Sequence, residues 1–331
     1  MDVKKARKSS LNIDYIGSSS FPIAINTVTS FSYSDKSSGE SDSISIEIYD
    51  RERNWLNNHF PQKGHKIKAS IKCFDGNAEN MLNCGQFNLD DIDISGEPLS
   101  INLKAVSSPV STGFSVTERS KVWKNITVKG IATDVANRAG LQLHYDADDI
   151  YIKSVEQSNK PDSSFLSELC KTNGICMKVY SDRLVLYSLQ KAIDRESVKT
   201  IKKAETEPEP KWNFNTSLAG NYTGGKLTYS SSNGNDIEYS FGSGSRILRI
   251  TDKKPADYAE AERMIKAAIL FANLETTILT FTTQGRLDIV ASQNVDITGF
   301  GNEINGKYHV LSVLHSISGG FTTSFEAAKV G

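Results

Sequence analysis

The sequence has no run of about eighteen apolar residues, the length a membrane-crossing helix needs. The basic stretch from Met1 to Ser10 leads into no apolar segment of the kind an export signal requires. Neither a membrane anchor nor secretion is therefore expected, and the chain reads as one made and folded in a cytosol. Cysteine is scarce: Cys73, Cys84, Cys170 and Cys176 are all that the 331 residues contain. Such a set does not form a disulfide framework, and the four are expected as small buried apolar residues. No sign of charge predominates. A formal net charge of -1 excludes affinity driven by phosphate neutralisation, so no specific nucleic-acid binding is expected of the whole chain. With 38% hydrophobic and 23% charged residues, the composition is that of a soluble globular protein long enough for two or three domains with real cores.

The patterns that carry catalysis are missing as well. His59, His65, His144, His309 and His315 include no pair at the i, i+4 helical spacing of a zinc site. His309 and His315 sit six apart on one predicted strand and are expected to point the same way, with about 20 Å of rise between them, too far to share a metal. Cys170 and Cys176 fit no CxxC pattern. The acidic groups Asp90, Asp91, Asp93 and Asp146, Asp148, Asp149 lack the glycine and terminal glutamate of a calcium loop, and are read as solvated turns and edges. Gly220 to Lys226 has the spacing of a phosphate-binding loop, but Leu227 stands where a magnesium-binding hydroxyl belongs and a strand follows, so it is read as a turn. Gly242 to Arg246 is read as a loop with no helix behind it. No Ser-His-Asp order or carboxylate pair can be assigned. Catalytic residues, cofactor-binding residues and metal ligands are each expected to be none, with no cofactor.

What is present is β patterning on both sides of a mixed segment. Ile44, Ile46 and Ile48 alternate with polar neighbours, as do Ile67, Ala69, Ile71 and Cys73, and Leu99, Ile101, Leu103 and Ala105. Turns are read at Asp75-Gly76-Asn77, at Gly85 and at Ser95 to Pro98. Asp50 to Asn58 is an irregular excursion anchored by Trp55. From Trp123 to Tyr187 helix and strand signals alternate. Val128, Ile131, Ala132, Val135, Ala136 and Ala139 define a short helix with Asn125 as N-cap and Gly140 as its left-handed end. Strands follow at 141–145 and 151–155. A second helix after Pro161-Asp162 carries Phe165, Leu166, Leu169 and Cys170 and stops at Asn173-Gly174, and a hairpin spans 175–187. Residues 191–211, with Glu205, Glu207, Pro208, Glu209 and Pro210, read as a connector. Pro255 opens the longest helix, expected to lie on the second β region with Tyr258, Ala261, Ile265, Ala268 and Ala272 on one face. Strands close the chain at 277–282, 295–298, 308–315 and 321–327.

The two β regions echo each other. Gly85-Gln86-Phe87 leads through a Gly96 turn into Leu99, Ile101, Leu103 and Ala105, and Gly306-Lys307-Tyr308 leads through Gly319-Gly320 into Phe321, Thr323, Phe325 and Ala327. The expected fold class is mainly β with an α+β insert: two related antiparallel β-barrel domains flanking a small helix-hairpin module. The expected boundaries are 1–110 for the first barrel, 111–200 for the module, and 201–331 for the second barrel with its one long helix.

Trp123, Thr127, Ile131, Val135, Ala136, Gly140-Leu141, Gln157-Ser158-Asn159, Asp162, Phe165-Leu166, Leu169 and Gly174 together resemble the late-control D family of phage tail proteins. These are baseplate hubs of contractile tails, related to the hub part of type VI secretion VgrG spikes. A second similar set closes the chain: Gly299-Phe300-Gly301, Asn305 to Tyr308, His315 and Gly320 to Thr323. Residues 230–245 carry no family pattern. The resemblance implies a virion or tail-particle protein assembled in the bacterial host cytoplasm, without enzyme activity. Three copies would form a ring of six barrels that adapts a sixfold tail tube to a threefold central spike. The implied partners are two further copies of the chain, the trimeric tail spike protein, the tail tube or its initiator, and baseplate wedge proteins. Two rival expectations are a tail-associated cell-wall hydrolase and a host-receptor-binding tail-tip protein.

Overall fold

A computed structural model describes residues 7–18, 21–74, 78–108, 113–203, 210–230 and 236–330. The turn at 75–77 and residues 204–209 of the acidic connector lie outside the described residues. The first β region comprises β1 (Lys8–Ile16), β2 (Ile23–Ala24), β3 (Val28–Lys36), β4 (Ser43–Tyr49), a one-turn α1 (Asn54–Asn57), β5 (Lys66–Phe74), β6 (Glu79–Ser95) and β7 (Ser100–Val106). The alternation of isoleucines puts Ile44, Ile46, Ile48, Ile67, Ile71, Ile101 and Leu103 into one buried cluster. Ile13 from β1 and Phe31 and Tyr33 from β3 enter the same cluster, so strands far apart in the pairing order face one core. Burying one such Ile, Leu or Phe side chain stabilises by roughly 1.5–3 kcal/mol. Trp55 of α1 is buried there too, held by Asp50, whose carboxylate accepts from the backbone N–H groups of Asn54, Trp55 and Leu56.

The middle segment comprises β8 (Glu118–Thr127), α2 (Val128–Ala139), β9 (Gln142–Asp146), β10 (Tyr151–Pro161), α3 (Asp162–Thr172), β11 (Ile175–Tyr180), β12 (Arg183–Ser188) and α4 (Leu189–Asp194). Thr127, not Asn125, caps α2: its hydroxyl accepts from Gly130 N–H, while Asn125 takes a left-handed φ of 52° inside β8. Gly140 ends the helix at φ 67°, as its position demands. The apolar faces of α2 and α3 close over β11, β12 and Trp123, which stacks on Phe165 with ring centroids 4.9 Å apart. Helix α4 and β13 (Lys199–Lys202) occupy part of the stretch read as connector; β13 pairs with a later strand.

The second β region comprises β14 (Lys211–Thr216), β15 (Gly224–Ser230), β16 (Asp236–Gly242), β17 (Ile247–Ile250), α5 (Tyr258–Leu274), β18 (Thr277–Gln284), β19 (Asn294–Thr298), β20 (Gly306–Ile317) and β21 (Phe321–Lys329). Helix α5 begins at Tyr258 behind the cap Asp257, and it rests on the small sheet β16-β15-β17 within the second β region and on α3. Tyr258 is exposed. A Cβ on Gly225 of β15 would come within 2.5 Å of Ile265, so that glycine serves the close approach of α5.

The large sheet corrects the expectation of two barrels. Its thirteen strands run β14-β18-β21-β20-β3-β4-β7-β6-β5-β1-β2, with β19 on β20 and β13 on β19; among the described residues the pairings close into no barrel. Both β regions belong to one curled sheet, joined where β20 pairs with β3. Each region keeps its own core, the second around Leu279, Phe281, Val295, Tyr308, Val310, Val313 and Phe325.

Strand order nevertheless repeats. The series β3-β4-β7-β6-β5, antiparallel throughout, has the same order and connectivity as β14-β18-β21-β20-β19. The register repeats as well: Leu89 opposes Ala105 and Ile92 opposes Leu103, as Val310 opposes Ala327 and Val313 opposes Phe325. An extra residue interrupts both pairs at the same place, Asp90 in β6 and Leu311 in β20. The repeat ends at the next strand, since β1 lies antiparallel to β5 but β13 parallel to β19.

Candidate functional site

The residues read for catalytic promise do not converge. Asp146 meets Arg195 and Asp148 meets Lys191, both at the surface. Gly224 and Gly225 open β15, and Gly242 and Gly244 sit against Thr223, so the glycine-rich stretches are packing features of the small sheet. All four cysteines are buried and unpaired. No group of three or more His, Cys, Asp or Glu side chains that could hold a metal occurs among the described residues.

His309 and His315 do not point the same way. The extra residue Leu311 shifts the phase of β20, so Val310, Val313 and His315 face the sheet interior while His309 faces the middle segment. Each ring is fixed by its partner. Asn294 donates its amide to the carbonyls of Ala192, Ile193 and Arg195, which leaves its Oδ1 to accept from His309 Nδ1 at 2.8 Å. This one asparagine ties β19 to the end of α4 and to β20. Thr323 donates to Arg286 O, so His315 Nδ1 donates to Thr323 Oγ1 at 3.1 Å. Burial holds both imidazoles down to about 4, well below the ordinary histidine value, with the cations Arg195 and Lys307 adding to the effect on His309. Both are neutral, and their bare Nε2 atoms are buried.

The polar groups that do converge lie where the sheet halves meet. β3 passes to β4 through residues 37–42, and this short connection touches three parts of the molecule. Ser37 N–H donates to Leu311 O of β20 at 2.8 Å, Gly39 N–H to Met177 O of β11 at 3.2 Å, and Tyr187 of β12 donates its hydroxyl to Ser37 O at 2.8 Å. Asp42 is fully buried. Its carboxylate accepts from Lys36 N–H at 2.9 Å and pairs with Lys178 Nζ of β11 at 3.1 Å. Lys178 also pairs with Asp35, whose other oxygen accepts from Ala291 N–H at 2.8 Å. Burial, with Asp35 close by, pushes the Asp42 carboxyl up to about 6 against the pull of Lys178. Tyr33 stacks on His315 beside this group, centroids 6.0 Å apart and planes 9° from parallel. One lysine from the middle segment thus bridges two carboxylates of the first half, one of which also holds the second half.

A second polar lock holds the middle segment together. Arg138 of α2 grips buried Asp162 with two hydrogen bonds, Nε at 3.1 Å and Nη2 at 2.9 Å, and Gln157 adds a third at 3.0 Å. Periodicity gave no sign of either cluster: Lys178 alternates as an ordinary strand residue, and Asp35 and Asp42 flank a short polar stretch. The only available signal was an acidic residue on each side of a short polar loop.

What this arrangement does is hold. Charges, hydrogen bonds and four apolar clusters fix three parts of one chain against each other. No family model and no curated protein matches the sequence. Solved structures do match. The 43 kDa tail protein of prophage MuSo2 from Shewanella oneidensis superposes with a TM-score of 0.75 at 12% identity, over 97% of this chain and 98% of that one. A tail protein from Neisseria meningitidis MC58 gives 0.74 at 11% identity, over 97% and 96%. The Escherichia coli c3393 protein, described as a component of the type VI secretion system with structural similarity to the bacteriophage T4 tail proteins gp27 and gp5, gives 0.59 at 12% identity, over 97% of this chain and 77% of that one. In fold, this chain is similar to phage tail proteins and to a type VI secretion component.

Proposed function

We propose that this chain is a structural hub of a contractile phage tail or tail-like injection particle, of the late-control D kind, and not an enzyme. Three copies stand in a ring, each contributing two barrel-like units, and the ring adapts a sixfold tail tube to a threefold central spike. The observation that carries this reading is the repeated strand order, β3-β4-β7-β6-β5 against β14-β18-β21-β20-β19. A polypeptide holding the same unit twice offers six similar faces when three copies assemble, while its true symmetry remains threefold. Residues 1–110 and 201–331 supply the two units and 111–200 the module between them. The fold likeness to tail proteins supports the same reading. Its partners are the trimeric spike protein, the tail tube or its initiator, and baseplate wedge proteins, and its place is the baseplate of the particle. Light scattering of the full chain with and without its spike tests this. A mass of three chains, alone or on adding spike, is the expected result, and a single chain under both conditions overturns it.

A further inference from the structure

Within the chain, the two strand repeats are joined at one seam. The last half of β20 pairs with β3 on the side where its first half pairs with β19: Val313 opposes Asp35, Leu314 opposes Ser34 and His315 opposes Tyr33. Carried through the repeat, β20 corresponds to β6 and β3 to β14. Tyr33 stands to Ile44 as Phe214 stands to Leu279, and Ile44 and Leu279 oppose the equivalent residues Ala105 and Ala327. Ile92, Asp93 and Ile94 are therefore the counterparts of Val313, Leu314 and His315, and Thr216, Asn215 and Phe214 those of Asp35, Ser34 and Tyr33.

These counterparts are bare. β5 pairs β6 only as far as Asn88, so among the described residues Asp91–Ser95 has β7 on one side and no strand on the other, and β14 pairs with β18 alone. Among the described residues, no further backbone hydrogen bond reaches the outer edge of either segment. Burial tells the same story. Tyr33, Asp35, Val313 and His315 are buried at the seam, whereas Ile92, Ile94 and Phe214 are only half covered and Trp212, the counterpart of Phe31, is 41% exposed. Two unpaired edges of complementary origin on one chain are what a head-to-tail contact between identical copies requires.

We propose that Ile92–Ser95 of one copy pairs antiparallel with Asn213–Thr216 of a second copy, Ile94 opposite Phe214 and Asp93 opposite Asn215, reproducing between chains the seam that β20 and β3 make within one. The inference rests on the hub reading and names its chain-to-chain contact. Ile92 and Ile94 cover Phe214 and Trp212 from the core side, and Asp93 and Asn215 meet on the outer face. The contact is heterologous, so each added copy leaves the same two edges free until the ring closes.

Asp93→Cys combined with Asn215→Cys in the full chain tests it, because directly opposed antiparallel residues lie about 4.5–5.5 Å apart between Cα atoms, within disulfide range. Mild oxidation is expected to give reductant-sensitive species of two and three chains, formed roughly tenfold faster than with the off-register pair Asp93→Cys and Asn213→Cys. Leu314→Cys with Ser34→Cys, the equivalent pair inside one chain, should close within a monomer and shows that the geometry accepts a disulfide. The native cysteines are buried and give little background. An oligomer of correct mass in which the Asp93→Cys, Asn215→Cys pair does not cross-link overturns the seam and leaves the hub reading standing. A single chain with and without spike, and no cross-link, overturns both.

Discussion

The two strand repeats differ most at one connection. In the first, β3 reaches β4 through residues 37–42; in the second, β14 reaches β18 through 217–276, which hold β15, β16, β17 and α5. The short version buries Ser37 and the charged Asp42 at its two ends, and three parts of the molecule close on it. The long version builds a separate sheet and helix that lean on α3, with Arg263 donating to Asn173 at 2.9 Å and Lys253 pairing with Glu168 at 2.8 Å. The order of strands around each core is thus independent of this connection. The hairpin pairings and alternating apolar residues set the order, and the connection is where each repeat acquires its own task.

The short connection depends most on Lys178. Lys178→Met leaves Asp35 and Asp42 buried without their cation, and a loss of about 3–5 kcal/mol is expected in chemical denaturation. A loss below about 1 kcal/mol would mean that the short connection is not a lock.

Acid separates the repeats next. His309 and His315 have native values near 4 against 6.5 ordinarily, so between these limits the unfolded chain binds more protons than the native one. Their stabilising contribution is whole above pH 6.5 and is lost as pH falls toward 4, about 3 kcal/mol each. Asp42 works in the opposite sense: with its carboxyl raised from 3.8 to about 6, its cost is present above pH 6 and is relieved as pH falls toward 3.8. A net decline in stability from pH 6.5 to 4 is expected, made shallower by His315→Gln or His309→Gln and steeper by Asp42→Asn. Urea midpoints measured across that window check all three slopes.

Gly225→Ala addresses the long connection. The new methyl meets Ile265 at 2.5 Å, and a loss of about 1–3 kcal/mol is expected in thermal unfolding, whereas Gly96→Ala in the β6–β7 turn, where a Cβ meets nothing, should change stability by less than about 0.5 kcal/mol. The smallest effect belongs to Thr216→Ala. Thr216 occupies the position of Asp35 but is exposed, so under about 0.5 kcal/mol is expected in the single chain. A larger loss would place a second lock at β14.

Much of this architecture could be read from periodicity. The isoleucine alternations, the faces of α2 and α3, the hairpin of β11 and β12, and the echo between β6–β7 and β20–β21 depend on neighbours close in sequence. The readings that failed depend on partners far away or on single inserted residues. β1 begins in a basic stretch, with the apolar residues Leu11, Ile13, Tyr15 and Ile16, and becomes a strand because β5 is there to pair with it. β13 is short and polar and is fixed by β19, while α4 is fixed by packing and by Asn294. Barrel closure could not be inferred from strand content, because which edges meet is a property of the folded sheet. The opposed directions of His309 and His315 turn on Leu311, which no alternating pattern marks. The Asp35, Asp42 and Lys178 group was not legible, because it depends on contacts between residues more than a hundred positions apart.

Leu311 has one more effect. Because it is surplus to the count on β21, everything after it in β20 is out of step with everything before it. Loss of that single codon would leave Val310, Val313 and His315 facing inward by plain alternation, because the bulge would simply be removed. What would go with it is the carbonyl that accepts from Ser37 N–H, so a one-residue change of length in β20 would be felt first in the connection between β3 and β4.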